Sequence, residues 1–575
     1  VGIKVDSAFS PASTIKRFFR VYCYGYRLGE VPLPPITETK GFKIKQYVVP
    51  DLTLRPAVQV SLGCHYDGAS LPHPCPQDTD TMVAGVMKRI ASKLPDPNKI
   101  LLAELKEFTL QWCKQNLVPL SPDADDSFDT WLNKTTYPFH RKMELKEKWD
   151  AIPDMWKFPA KYTRCKSFQK DEVYPEYKHA RGIFSREDEF KCRVGPIFKL
   201  IEEELYEHPS FIKHVPVKDR PNYIMEMLYA PGSKYAATDY TSFEASFKKE
   251  IMEACEFVMY EYMTAHLPAG ANFIGLIRKV LTGKNTCVFK NFNLEIDATR
   301  MSGEMNTSLG NGFSNLMFMS FMCQKIGSTC LSGVVEGDDG LFRVKGRFPT
   351  KEEFAQLGMN IKLVEHENIS TASFCGIVFD PQDRINVTNP MDELLTFGWT
   401  SRMYARVNSN KLKVLLRCKS LSMAHQYPGC PILSSLARYG LRMTRSFDVR
   451  HHIKEGSMST WEREQLLYCL KNPIPSIQTG LATRQLVETL YGITVEEQFR
   501  IEEYLDHLEE LVPLSLPEIE HHLSPVSKHY FSMYSSIENK DDPCLERPSL
   551  VWPELTKAWK VPWERSGLHP TVSSD

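Results

Sequence analysis

The run Glu336-Gly337-Asp338-Asp339-Gly340 sits between two short apolar stretches, Leu331-Ser-Gly-Val-Val335 and Leu341-Phe-Arg-Val344, and that arrangement admits few folds. β-Branched and aromatic residues on both sides, with glycines at the junctions, predict two antiparallel strands joined by a tight turn. Two adjacent carboxylates at such a tip repel each other and lower stability unless a cation occupies the site, so a metal is their natural partner. Taken alone, the segment reads first as an ordinary hairpin, because Asp-Gly is a common turn signal.

A second acidic strand end changes that reading. About a hundred residues earlier, Tyr235-Ala-Ala-Thr-Asp239-Tyr predicts a short strand that carries Asp239 to its end. Ser242 is placed to cap a following helix, whose Phe243, Phe247, Ile251 and Cys255 fall on one inward face. Three carboxylates from two strand ends, Asp239, Asp338 and Asp339, suit a pair of Mg²⁺ ions, with Mn²⁺ as a substitute, for phosphoryl transfer. Between the two acidic strands lies Met301-Ser302-Gly303-Glu304-Met305-Asn306-Thr307-Ser308-Leu309-Gly310-Asn311, a glycine-bearing loop that enters an apolar helix. Its Ser302, Thr307 and Asn311 offer donors and acceptors for ribose hydroxyls and a nucleic-acid backbone, and the same polar residues also serve as a helix start.

Taken in order, these three segments resemble motifs A, B and C of the RNA-dependent RNA polymerases of positive-strand RNA viruses, most of all tombusvirus-like and nodavirus-like enzymes. The resemblance implies metal binding by Asp239, Asp338 and Asp339; because adjacent residues at a turn do not point the same way, Asp339 is expected to contribute less directly. It also implies ribose recognition by Ser302, Thr307 and Asn311, and by Glu244, which stands where the family most often has Asp. Upstream, Phe168-Gln-Lys170-Asp-Glu172 leads into Lys178-His-Ala-Arg181-Gly-Ile183, a mixture of cations and aromatics that by itself suits a solvated face or a phosphate channel. It resembles motif F, which implies that Lys170, Lys178 and Arg181 grip the incoming triphosphate. Phe354 to Lys362 reads as a helix that ends at Gly358 and turns into a strand. That segment resembles motif D and implies that Lys362 protonates the departing pyrophosphate. Phe374-Cys375-Gly376-Ile-Val-Phe379 resembles motif E, with Cys375 packed rather than reactive.

The implied fold is α+β, a right-hand polymerase with an antiparallel-sheet palm and a mostly helical thumb. Its expected divisions are an N-terminal extension (1–80), fingers (81–234), palm (235–380, with a finger insertion at about 266–300), thumb (381–537) and a C-terminal tail (538–575). Short strands are expected near Tyr47 and at Val58 to Val60, helices at 82–93 and 100–115, and a strong amphipathic pattern over 483–511. The implied partners are RNA template and product strand, nucleoside triphosphates, and other viral replication proteins and host membranes reached through a region outside this chain. The expected location is the host cytoplasm, at membrane-associated replication complexes.

Bulk composition neither opposes nor proves this. A chain of 575 residues needs several subdomains, and 42% hydrophobic with 25% charged residues excludes a chain disordered throughout. Balanced charge, 70 basic against 71 acidic residues, leaves nucleic-acid binding to be argued locally. Fifteen cysteines without regular spacing predict reduced thiols. No secretory leader pattern occurs in the first twenty residues, and the most apolar stretch, 313–323, is too short to span a bilayer. Cys64, His65, His73 and Cys75 carry metal-ligand chemistry, but in a proline-rich spacing that matches no usual zinc pattern. A reverse transcriptase would carry an aromatic residue before the paired acids, and a non-catalytic scaffold would have lost one of the acids; neither change is present here.

Overall fold

The computed structural model describes residues 43–45, 58–76, 79–152, 156–176 and 178–536. The strand expected near Tyr47 and the tail at 538–575 lie outside them.

Alternating burial builds the central sheet. Four antiparallel strands lie in the order Ile361–His366, Tyr235–Tyr240, Asp339–Lys345, Thr329–Glu336. The last two form the expected hairpin, closed by the pair Glu336 and Asp339. Gly337 has φ 63°, the positive value that the first central residue of a II′ turn demands and that glycine adopts without strain. Under the sheet runs the helix Thr307–Lys325, buried on almost every face from Leu309 to Cys323. It sits in a core shared with the helices Lys99–Asn116, Lys249–Ala254 and Glu256–Met263.

Two local expectations change. Ser242 does not cap a helix through its side chain; it is left-handed, φ 55°, and its hydroxyl donates to the Lys88 carbonyl on the neighbouring helix Thr79–Ile90. The helix expected after it is two short pieces, Phe243–Ser246 and Lys249–Ala254, yet Phe243, Phe247, Ile251 and Cys255 are all buried. Core burial of the four side chains outweighs an unbroken backbone ladder.

A second sheet of five strands contains the antiparallel pair Arg164–Gln169 and Gly182–Arg186, the arms of the cationic loop. The strands Asn285–Val288 and Asn293–Ile296 extend it, with Asn285–Val288 parallel to Arg164–Gln169. From Pro390 onward the chain is mostly helical. The amphipathic stretch 483–511 resolves into two helices, Leu481–Tyr491 and Val495–His507. Gly492 in the left-handed region ends the first, and a Thr494–Glu497 capping box starts the second.

The N-terminal segment ties these parts together. Gln59–Ser61 pairs with both Trp399–Ser401 and Ser535–Ser536. Farther along, Leu514 bonds the backbone of His65 and Asp67, Tyr174 N–H donates to the Pro72 carbonyl at 2.9 Å, and the Gln169 amide donates to the Pro74 carbonyl at 3.0 Å. The described cysteines are free thiols. No helix among the described residues is long and apolar enough to cross a membrane.

Candidate active site

Sheet register brings the acids together. Lys362 pairs directly with Asp239, so the two side chains share a face, and both are exposed. The same central strand pairs Thr238 with Gly340 on its other side, and one step further along that register lies Asp339 beside Asp239. Asp338 projects from the turn. Its carbonyl accepts a 2.9 Å bond from the Asn315 side-chain amide, and Tyr240 O–H donates to Asn315 Oδ1 at 3.3 Å. Asn315 is fully buried on the helix beneath and fixes the turn from below. The other flank is held by Glu336, whose carboxylate pairs with Arg220 at 2.6 Å.

Although exposed at the tip, the two aspartates lie in a recess where protein crowds the charged form. Burial, and then the neighbouring Glu244, raise the Asp338 carboxyl above its ordinary range, against the pull of its own backbone N–H, Arg181 and Arg89. Burial, and then the charge of Asp338, push Asp339 up to about 7, with Glu336 and Asp239 adding and Cys375 opposing. A carboxyl raised on folding contributes stability below its unfolded value of 3.8 that is lost as pH rises through about 7. Melting curves of the metal-free protein in chelator are therefore expected to fall between about pH 4 and pH 7, with Asp339→Asn flattening that fall. An equal slope in the variant would refute the assignment.

Next to the acids is a cleft lined by Arg89, Ile90, Lys170, Arg181, Gly182, Ile183, Phe184, Glu244 and Ser302. Ser302 Oγ donates to Glu244 Oε1 at 3.0 Å, which joins the two expected ribose-sensing residues. Gly303, φ 118°, brings the loop within reach of the Phe184 carbonyl, where a Cβ would stand 2.9 Å away. Lys170 and Arg181 both bond Glu172. Although burial pushes the Glu172 carboxyl up, Arg181 and Lys170 pull it down to about 2. Lys178 stands over the Tyr174 ring at 4.7 Å and does not line the cleft.

Thr307 and Asn311 stand a layer behind. The Thr307 hydroxyl accepts from Gly303 N–H at 3.4 Å, and Asn311, 4% exposed, accepts from Arg300 Nε at 3.0 Å. Arg300 in turn pairs with Glu256 at 2.7 and 2.8 Å, both side chains fully buried, and Arg186 pairs with Glu304 in the same way. These pairs set the shape of the loop, so Thr307 and Asn311 position it and Ser302 faces the cleft.

Arg89 and Asn315 were not singled out from the sequence. Arg89 lies on a helix far from any motif, and nothing local marks it. Asn315 follows Asn311 by four residues and so shares its helix face, a signal that was present. Cys375 is held at φ 51° with its thiol directed to Glu336 at 3.8 Å, and burial, with Asp339 and Glu336 beside it, pushes the thiol well up, in keeping with a packed group. Cys64, His65, His73 and Cys75 do not form one ligand set. His65 Nδ1 is bonded to Ser61 at 2.7 Å and His73 Nε2 to Asp171.

The family model described as RNA dependent RNA polymerase matches residues 93–409, more than half of the chain. The chain belongs to the RNA dependent RNA polymerase family. The match takes in every acid and cation of the site except Arg89, which lies just before it. Among known proteins, this family member is 24% identical over 184 residues to the RNA-directed RNA polymerase of Atlantic halibut nervous necrosis virus. That stretch is 31% of this chain and 18% of the length of the relative.

Proposed function

We propose that this chain is the polymerase core of a positive-strand RNA virus and adds ribonucleotides to a growing strand on an RNA template. The observation that carries the reading is the convergence of Asp239, Asp338 and Asp339 at one end of a sheet, beside a cleft lined by Arg89, Lys170, Arg181, Glu244 and Ser302. In this reading the central sheet is the palm, the five-stranded sheet belongs to the fingers and the C-terminal helices form the thumb.

The acid set is all oxygen, the donor type that Mg²⁺ and Mn²⁺ prefer, so Asp239, Asp338 and Asp339 would hold such ions. When bound, divalent ions activate the attacking 3′ hydroxyl and neutralise charge on the leaving pyrophosphate. The remaining work falls to the chain. Lys170 and Arg181 exchange Glu172 for triphosphate oxygens, with Lys178 adding positive potential from behind. Glu244 and Ser302 together meet the ribose hydroxyls, positioned by a loop that Thr307 and Asn311 keep in shape. Lys362, across from Asp239, delivers a proton to the departing pyrophosphate. Membrane-associated replication in the host cytoplasm, with further viral proteins supplying the tether, fits the same viral reading.

Arg89 makes no salt bridge among the described residues, so its charge is free for the substrate. Arg89→Ala is expected to raise KM for nucleoside triphosphates roughly tenfold with little change in kcat, as steady-state kinetics would record. An unchanged KM would remove it from the triphosphate site.

The test of the function is incorporation of labelled ribonucleotides on a defined RNA template with Mg²⁺ or Mn²⁺. Template-complementary RNA product is the expected result. Preference for deoxynucleotides would make the chain a reverse transcriptase, and no product on any template or primed duplex would favour a scaffold.

A further inference from the structure

We propose that Glu497, His521 and His522 form a binding site for one zinc-type transition-metal ion, remote in sequence and chemistry from the acidic centre. One carboxylate oxygen of Glu497 and one ring nitrogen of each histidine all lie within 4.8 Å of one another. That spacing lets a single ion replace the mutual contacts with bonds of about 2 Å after small rotations of the side chains.

The local sequence explains why the three groups meet. Glu497 is the third residue of the helix Val495–His507, and its Oε2 accepts from Thr494 N–H at 2.7 Å and from the Thr494 hydroxyl at 2.9 Å. The capping box thus fixes the carboxylate and leaves Oε1 without a hydrogen bond among the described residues, as an outer hydrogen bond orients a metal-binding carboxylate. His521 and His522 end the 3₁₀ turn Pro517–His522, and their rings lie tilted against each other at 39° with centroids 3.9 Å apart. His522 Nε2 is buried with no hydrogen-bond partner, a state that costs free energy unless something binds there. Gly492 supplies the space, since a Cβ at that position would stand 3.3 Å from the His522 ring.

The donor set selects the ion. Two imidazoles and one carboxylate suit Zn²⁺ or Co²⁺, with water in a fourth position, whereas Mg²⁺ and Ca²⁺ prefer oxygen alone. An ion there would tie the start of the helix Val495–His507 to the turn Pro517–His522. Between them runs residues 508–516, the shelf on which Leu514 and Leu516 receive His65, Asp67 and Tyr66 of the N-terminal segment. The site is thus a clip on the docking shelf of that segment.

The test is a Co²⁺ titration of the full chain in excess Mg²⁺, which occupies the acidic centre, followed by visible absorption. One equivalent of Co²⁺ is expected to give the intense d–d bands of a low-coordinate N/O site. His521→Ala and His522→Ala should each remove them with far-UV dichroism unchanged, and Asp338→Ala should retain them. Overturning results are spectra of hexaaqua cobalt alone, bands that persist when both histidines are replaced, or a thiolate charge-transfer band that assigns the metal to cysteine.

Discussion

Asp338→Ala is expected to lower template-directed incorporation by about 10⁴-fold, equivalent to roughly 5.5 kcal/mol of transition-state stabilisation, in an intact fold. The fold survives because the turn is held by contacts the substitution does not touch. Asn315 binds the Asp338 carbonyl, Gly337 keeps its positive φ, and Glu336 remains paired with Arg220. Removing one of two adjacent carboxylates also relieves repulsion on Asp339. The metal-free variant should therefore melt no lower than the parent while its activity collapses. Asp339→Ala should cost less, because neighbouring residues at a turn do not face the same way. Parallel melting curves and single-turnover incorporation with matched protein decide the point. Parental turnover in Asp338→Ala would sink the metal-site assignment.

Glu256→Ala should destabilise the protein by about 3–5 kcal/mol, since it strands a buried guanidinium. Arg300 is fully buried, bonded twice to Glu256, stacked over the Phe247 ring at 4.3 Å, and linked to Asn311. Without the carboxylate its charge has no directly bonded counter-ion, and the buried Glu304 nearby is already paired with Arg186. Arg300→Met combined with Glu256→Leu removes both charges and should recover much of the loss. The double variant would still have reduced nucleotide incorporation, because Asn311 loses the donor that helps to shape the loop behind Ser302. Denaturant unfolding of the single and double variants measures the first effect and incorporation the second. Equal stability of Glu256→Ala and parent would mean that Arg300 finds another anion.

The features legible in the sequence are those made by neighbours in the chain. Glycines around paired aspartates specified the hairpin, and strand patterning placed Asp239 at the end of another strand. The loop from Met301 to Asn311 was found because its polar residues precede an apolar helix. Misreadings arose where distant segments decide the outcome. Ser242 abandons a capping role because the Lys88 carbonyl reaches it from another helix. Arg89 enters the cleft only because the helix Thr79–Ile90 packs beside the strand Gly182–Arg186. By contrast, the break between the two helices near Gly492 was readable, since Gly492, Thr494 and Glu497 form a stop followed by a start.

Strand order also dictates when the molecule can be completed during synthesis. Gln59–Ser61 is made before the acidic strands but pairs with Ser535–Ser536, made more than four hundred residues later. Until then that short strand has one open edge, and the shelf at Leu514 that receives the same segment does not exist. The cationic loop leans on this segment through Tyr174 and Gln169. A partial chain that already contains Asp239, Asp338 and Asp339 therefore lacks part of the support for its cationic loop. Chains truncated before Leu514 are therefore expected to keep the acidic sheet while holding the cationic loop less firmly.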